Sequence, residues 1–247
     1  MAAKRVEAKD YKKAAATLVD AFFDDPVCVY LCHTTNEQQF KKLMTEMFEY
    51  IVYAHIIRGL VLEVGDFAGI SLWMGPGNNM DDWYSILRSG LWRLKYKLDG
   101  EGRKRFFNEF LPILNDTKAD VLKERDDHSW YLVYVGVSSK EQGKGYLRKL
   151  IEPIFNICDQ EGLPIYLESS HLHNRPIYEH FGFVYQQSIY LTRDNQKVPL
   201  EIMIREPETE SKAEQSAKPK AALSKTVSAS IAEKVEGSLA VSSTPVC

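Results

Sequence analysis

The stretch SWYLVYVGVSSKEQGKGYLRKLIEPIF, Ser129–Phe155, decides how the rest of the chain is read. Trp130–Val137 is an unbroken run of apolar, aromatic and β-branched residues, the composition of a buried strand. Ser138, Ser139 and Lys140 break the run, and Gln142-Gly143-Lys144-Gly145 leads into a new period. Leu147, Leu150, Ile151, Ile154 and Phe155 recur three and four apart, which puts one apolar face on a helix. A strand, a glycine-bearing turn and a helix start together make an anion site. The first amides of a helix lack intrahelical acceptors, its dipole favours negative charge, and glycine lets a ligand approach the backbone. Pro153 removes the hydrogen bond to Lys149 and predicts a bend in this helix.

Upstream, residues 3–7 read as a short edge strand, and Asp10 as the cap of a helix from Tyr11 to Phe23 that Asp24-Asp25-Pro26 ends. Val27–His33 is apolar and fits helix or strand. Asn36 caps a long helix to about His55. Leu60–Val64 and Phe67–Met74 form a hairpin about a two-residue turn, Gly65-Asp66. Helical patterns cover Met80–Leu98 and Arg103–Asp120, with a break near Pro112. Arg88, Arg93, Lys95 and Lys97 gather on the first of these, as a solvated face, a lid over an acceptor, or a surface for an anionic partner.

Downstream come a buried strand, Ile165–Ser169, a short helix, Arg175–Phe181, and strands Val184–Leu191 and Val198–Ile204. From about Glu206 the chain has no aromatic residue and is rich in Ala, Ser, Lys and Glu. Such a segment buries too little apolar surface to offset its ordering entropy, so 206–247 is expected to be a disordered tail behind a domain spanning 1–205.

A net charge of −3 argues against a nucleic-acid partner. Cys28, Cys32, Cys158 and Cys247 are spaced for neither a disulfide framework nor a metal site, and no metal is expected. No apolar run reaches the roughly 18 residues of a membrane span, and no apolar h-region follows the N-terminus. The expected setting is therefore cytoplasmic, without a membrane partner. Monomer and homodimer both stay open.

The signature Gln142-Gly143-Lys144-Gly145-Tyr146-Leu147, the strand Leu167-Glu168-Ser169, and Asn174-Arg175-Pro176-Ile177-Tyr178-Glu179 followed by Gly182-Phe183 resemble the Gcn5-related N-acetyltransferase (GNAT) superfamily. With Val135-Gly136-Val137, the pattern is most similar to puromycin N-acetyltransferases and their fungal relatives. The resemblance implies an α/β (α+β) fold, with a mixed sheet of six to seven strands flanked by helices, core motifs over 129–192 and a helical insertion over 80–120. It implies acetyl-CoA as the cofactor and acetyl transfer to a small-molecule amine. Protein or peptide acetylation and a silent acyl-CoA-binding module are the other readings.

In this resemblance the amides of Gln142, Gly143, Lys144, Gly145, Tyr146 and Leu147 hold the pyrophosphate, and the Lys144 side chain either adds charge or is merely solvated. Val135, Gly136 and Val137 offer main-chain groups to the pantetheine arm. Tyr178 is the general acid for the departing thiolate or, on the other reading, a core aromatic with a satisfied hydroxyl. Asn174 contacts the cofactor or caps a helix. The general base is Glu168, His171, His173 or a water relay. Leu147 stands where the family has a small residue, so its side chain must turn into the protein or crowd the pyrophosphate.

Overall fold

The computed structural model describes residues 2–78 and 83–208. The expected helix start at Met80 and the tail from 209 onward lie outside the described residues. Seven strands form one mixed sheet in the order β1-β2-β3-β4-β5-β7-β6. They are β1 (Lys4–Arg5), β2 (Leu60–Val64), β3 (Gly69–Met74), β4 (Trp130–Val137), β5 (Ile165–Ser169), β6 (Val184–Leu191) and β7 (Val198–Arg205). All neighbours are antiparallel except β4 and β5.

Helices cover both faces, as inner strands that are apolar on both sides require. Against one face lie α1 (Tyr11–Ala21), α2 (Pro26–Cys32) and α3 (Glu37–Arg58), whose Leu18, Phe22, Met44 and Phe48 meet Ile70 and Leu72 of β3. Against the other lies α8 (Tyr146–Glu161), whose Leu150, Ile151 and Ile154 meet Trp73, Val135 and Leu167. Helix α8 is continuous through Pro153. Gly136 must be glycine for packing, because a Cβ there would stand 2.7 Å from that of Ala21.

Several expectations need correction. The β2–β3 turn has four residues, since Val64 pairs with Gly69, and Asp66 and Phe67 both take positive φ. The Phe67 carbonyl accepts from Thr17 Oγ1 at 2.6 Å and its amide donates to Glu63, so tertiary bonds set this loop. Asp10 makes no capping bond and instead pairs with Lys13 at 2.9 Å. Val27–His33 is resolved as helix by Asp25, which caps α2 rather than merely ending α1. The stretch before Leu98 is divided at Gly90 (φ 84°) into α4 (Trp83–Ser89), a 3-10 turn and α5 (Leu94–Lys97). The next one runs from α6 (Gly100–Arg103) through a π-helical turn, Lys104–Phe110, into α7 (Leu111–Leu122). Pro112 does not break it, because it sits in the first turn of α7, where its missing N–H costs no bond.

Under this core His55 is fully buried, with Nδ1 2.8 Å from the Ile51 carbonyl. Burial pushes its pKa from 6.5 down to about 4. Between those values the unfolded chain binds a proton that the folded chain refuses, so this histidine lowers stability as pH falls from 6.5 to 4. The full loss is about 3 kcal/mol. Urea midpoints of His55→Leu are expected to fall less over this window than those of the parent protein; parallel curves would count against the assignment.

Candidate active site

Strands β4 and β5 pair only at Trp130–Ile165 and Tyr131–Tyr166. Beyond these pairs β4 runs on to Val137 and β5 to Ser169, and the sheet opens into a wedge. A bulge in β4 contributes to the opening. Leu72 pairs with Tyr134 but Trp73 with Leu132, which leaves Val133 as the extra residue. Bulges bend and over-twist a strand, and this one also puts the successive residues Val133 and Tyr134 against the same core. The wedge borders a chamber lined on the sheet side by Tyr131–Val135, Leu167 and Glu168, with Ser170 and Tyr178 beside them. Phe22, Asp25 and Cys28 close a second wall, and Phe110, Leu111 and Leu114 a third. A more polar outer cleft shares Leu111, Leu114, Tyr131 and Val133 and reaches Lys118, Asp126 and the Gly75–Asn78 rim.

At the C-terminal end of β4 the signature turn has the form its glycines predict. Gly143 and Gly145 have φ of 76° and 72°, and a Cβ on either would meet nothing within 4 Å. The backbone there is open to a ligand, directly ahead of the unpaired first-turn amides of α8. Asp20 of α1 fixes the approach to this turn, accepting from Ser138 Oγ at 2.7 Å and from the Ser139 amide at 2.9 Å. Those bonds outweigh partial burial and hold its carboxyl below the usual range. Lys144 is exposed and pairs with Glu141 at 2.7 Å, so its charge is already partnered locally. Leu147 packs inward on the α8 core, which disposes of the crowding its size threatens. Gly136 presents its α-carbon to α1, while Val135 and Val137 point to the α8 side.

Tyr178 sits on α9 (Arg175–His180), 1% exposed, with its ring edge-on to Phe183 at 5.7 Å. Gly182 (φ 85°) turns the chain so that the Phe183 amide can donate to the Tyr178 carbonyl. The tyrosine therefore belongs both to the core and to the chamber wall. Asn174 occupies the N-cap position of α9, buried, but its side chain makes no capping bond.

Two carboxylates face the chamber. Glu168 Oε2 accepts from the Tyr131 hydroxyl at 2.7 Å, while Oε1 is buried with no donor in bonding geometry, although the Tyr166 hydroxyl lies beside the carboxyl. Burial pushes its pKa from 4.5 up to about 7, against the opposing pull of the Tyr131 and Tyr166 hydroxyls and Lys118. Asp25 is the second, and 1% exposed. One oxygen accepts from the amides of Val27 (2.9 Å) and Cys28 (3.0 Å), and the other from Ser170 Oγ. His171 Nε2 lies 3.6 Å from the same Asp25 oxygen, and its ring is 4.8 Å from that of His173. Burial holds His171 below its ordinary pKa, with Asp25 opposing the shift.

The structure thus brings Tyr178 and Glu168 to one chamber and leaves His171 in contact with it through Asp25. Cys158 is buried on the inner face of α8, where burial pushes its thiol up to about 12 and disfavours the thiolate. Asp25, Ser170 and Tyr131 were missed in the sequence. Asp25-Pro26 does carry a signal, an N-cap followed by proline at the first helical position. Tyr131 carries none beyond its place in a strand.

The family model for the acetyltransferase (GNAT) family matches residues 115–183, from within α7 through the signature turn to the Tyr178 helix and the corner after it. The match covers under a third of the chain, and the seven-stranded sheet flanked by helices has the architecture of GNAT acetyltransferases. An uncharacterized protein of Saccharomyces cerevisiae, YDR391C, is 25% identical over 179 residues, covering 70% of this chain and 69% of its own. Among solved structures, a histone acetyltransferase HPA2 and related acetyltransferase from Corynebacterium glutamicum superposes with a TM-score of 0.55 at 21% identity, covering 85% of this chain and 98% of that one. Arylalkylamine N-acetyltransferase 2 from Aedes aegypti gives 0.54 at 18% identity, covering 83% and 98%. These likenesses fix the fold. They do not single out the puromycin N-acetyltransferase branch.

Proposed function

We propose that the protein transfers the acetyl group of acetyl-CoA directly to a primary amine of a small molecule. The observation that carries this reading is the chamber: Tyr178 and Glu168 both line it, and the open glycine turn follows the end of β4 where the sheet parts. The residues fit the cofactor. The Gln142–Leu147 amides suit its pyrophosphate, and the unpaired β4 edge at Val135–Val137 suits an extended amide-bearing arm. When bound, acetyl-CoA supplies an activated thioester.

The chain's own residues supply proton transfers and positioning. Glu168, with a buried oxygen that has no donor in bonding geometry and a pKa near 7, takes a proton from the incoming ammonium, since only the neutral amine is nucleophilic. Tyr131 holds the other oxygen and so orients the carboxylate. Tyr178 donates its phenolic proton to the departing thiolate. A second reading makes Asp25 the base, acting through Ser170; the short Ser170–Asp25 contact favours it, whereas the three donors already on Asp25 weaken it as an acceptor. A compact acceptor is favoured because Phe110, Leu111 and Leu114 add a third apolar wall to the chamber.

Acceptor-dependent thiol release over small amines, aminonucleosides, polyamines and lysine peptides tests the reading. Tyr178→Phe is expected to lower the rate by about tenfold or more while acetyl-CoA binding, measured by calorimetry, persists. An unchanged rate would remove Tyr178 as the acid. Release with lysine peptides alone would replace the small-molecule acceptor, and binding without release on any acceptor would leave a silent acyl-CoA module.

A further inference from the structure

Nine large apolar side chains are exposed among the described residues, and five of them, Trp83, Tyr84, Leu87, Trp92 and Tyr96, lie within one short segment. The same segment carries Arg88, Arg93, Lys95 and Lys97, and no carboxylate from Trp83 to Leu98; Asp81 and Asp82 precede it. Its inner side is spoken for. Ser85, Ser89, Leu91, Leu94 and Leu98 are buried, and α4 and the 3-10 turn pack on α3. The aromatic and basic side chains therefore point away from the core. Arg88, Arg93 and Lys95 are exposed and make no ion pair among the described residues, and the Arg93 guanidinium lies 5.4 Å from the Trp92 ring.

We infer that this face docks on an anionic membrane surface. Exposed Trp, Tyr and Leu interleaved with unpaired cations is the side-chain set that settles at the headgroup level, with rings at the acyl boundary and cations on the phosphates. Exposed aromatic side chains gathered in one short segment, in two ring-contacting pairs, call for an occupant, and the charge here selects an anionic one. The chain as a whole has a net charge of −3, so the positive patch is segregated rather than an average property. A second copy is a poor occupant, because a two-fold contact through this face sets cations against cations. The tail from 209 onward is poor too, with four acidic against five basic side chains and no aromatic ring. No described helix is long and apolar enough to cross a membrane, and a surface-lying contact needs none. The sequence expectation of no membrane partner rests on the missing span and the missing h-region, and neither bears on a surface-lying contact. This inference is independent of the acetyl-transfer reading.

The test is cosedimentation of the full chain with phosphatidylcholine vesicles, with and without phosphatidylserine. Binding is expected only when phosphatidylserine is present, with a blue shift of tryptophan emission, and is expected to weaken at high salt. Replacing Arg88, Arg93 and Lys95 together by Gln is expected to weaken it about a hundredfold, at roughly fivefold per cation. Trp83→Ser with Trp92→Ser is expected to abolish the blue shift while circular dichroism stays unchanged, since both side chains are exposed. Equal binding by the Gln variant and the parent, no dependence on phosphatidylserine, or a change of oligomeric state on mutating the patch would each overturn the proposal. Retention on an anionic polymer such as heparin without vesicle binding would do so as well.

Discussion

Glu168→Gln is expected to lower acceptor-dependent thiol release by about a hundredfold to ten-thousandfold, the range for loss of a positioned general base. The amide keeps the size of the carboxyl group and its bond to Tyr131, but it cannot take a proton at neutral pH. In the parent protein the rate is expected to rise with pH through about 7, because burial raises the Glu168 pKa to that value and only the ionised form accepts a proton. That limb should vanish in Glu168→Gln and persist in Asp25→Asn. The converse result, a limb kept in Glu168→Gln and lost in Asp25→Asn, would hand the role of base to Asp25. The same pKa has an opposite consequence for stability. The folded chain holds a proton that the unfolded chain releases between 4.5 and 7, so Glu168 lowers stability as pH rises through that window. A base poised for the reaction is thus also a source of instability, and Glu168→Gln should be more stable than the parent at pH 8.

Arg105→Ala is expected to cost about 4 kcal/mol of stability, read from urea denaturation, and to raise KM for the acceptor. The Arg105 side chain is 2% exposed within the π-helical turn. It donates to the Tyr30 carbonyl and Gln196 Oε1, both at 3.0 Å, and to Asp194 Oδ2 at 2.7 Å, while its guanidinium lies 4.3 Å from the Tyr30 ring. Glu109 reinforces the link, accepting from the Tyr30 hydroxyl at 2.5 Å and from the Thr192 amide at 2.6 Å. One helical turn is thereby tied to α2 and to the β6–β7 loop at once. Because Phe110, Leu111 and Leu114 follow directly and wall the chamber, loosening this tie should loosen the wall. A stability loss with KM unchanged would mean that the wall holds its place without Arg105.

Much of the fold was legible because it rests on local chemistry. The apolar run Trp130–Val137, the glycines at 143 and 145, and the spacing of α8 each specify their own geometry. The β2–β3 loop was misread because its length depends on Thr17 and Glu63, bonds that no hairpin rule contains. Pro112 was misread because its effect depends on whether it falls in the first turn of a helix or inside one.

The candidate site divides the same way. The sequence by itself determined the open glycine turn ahead of α8, because the course of that backbone follows from local residues. It also offered Tyr178 as a candidate acid and Glu168, His171 and His173 as candidate bases. Only the tertiary structure decided what surrounds them. The wedge exists because β4 bulges at Val133 and leaves β5 after two pairs. Asp25 and Ser170 meet because α2 begins where β5 ends, 145 positions apart in the chain. The raised pKa of Glu168 comes from burial, and burial is a property of packing that no single stretch of residues carries.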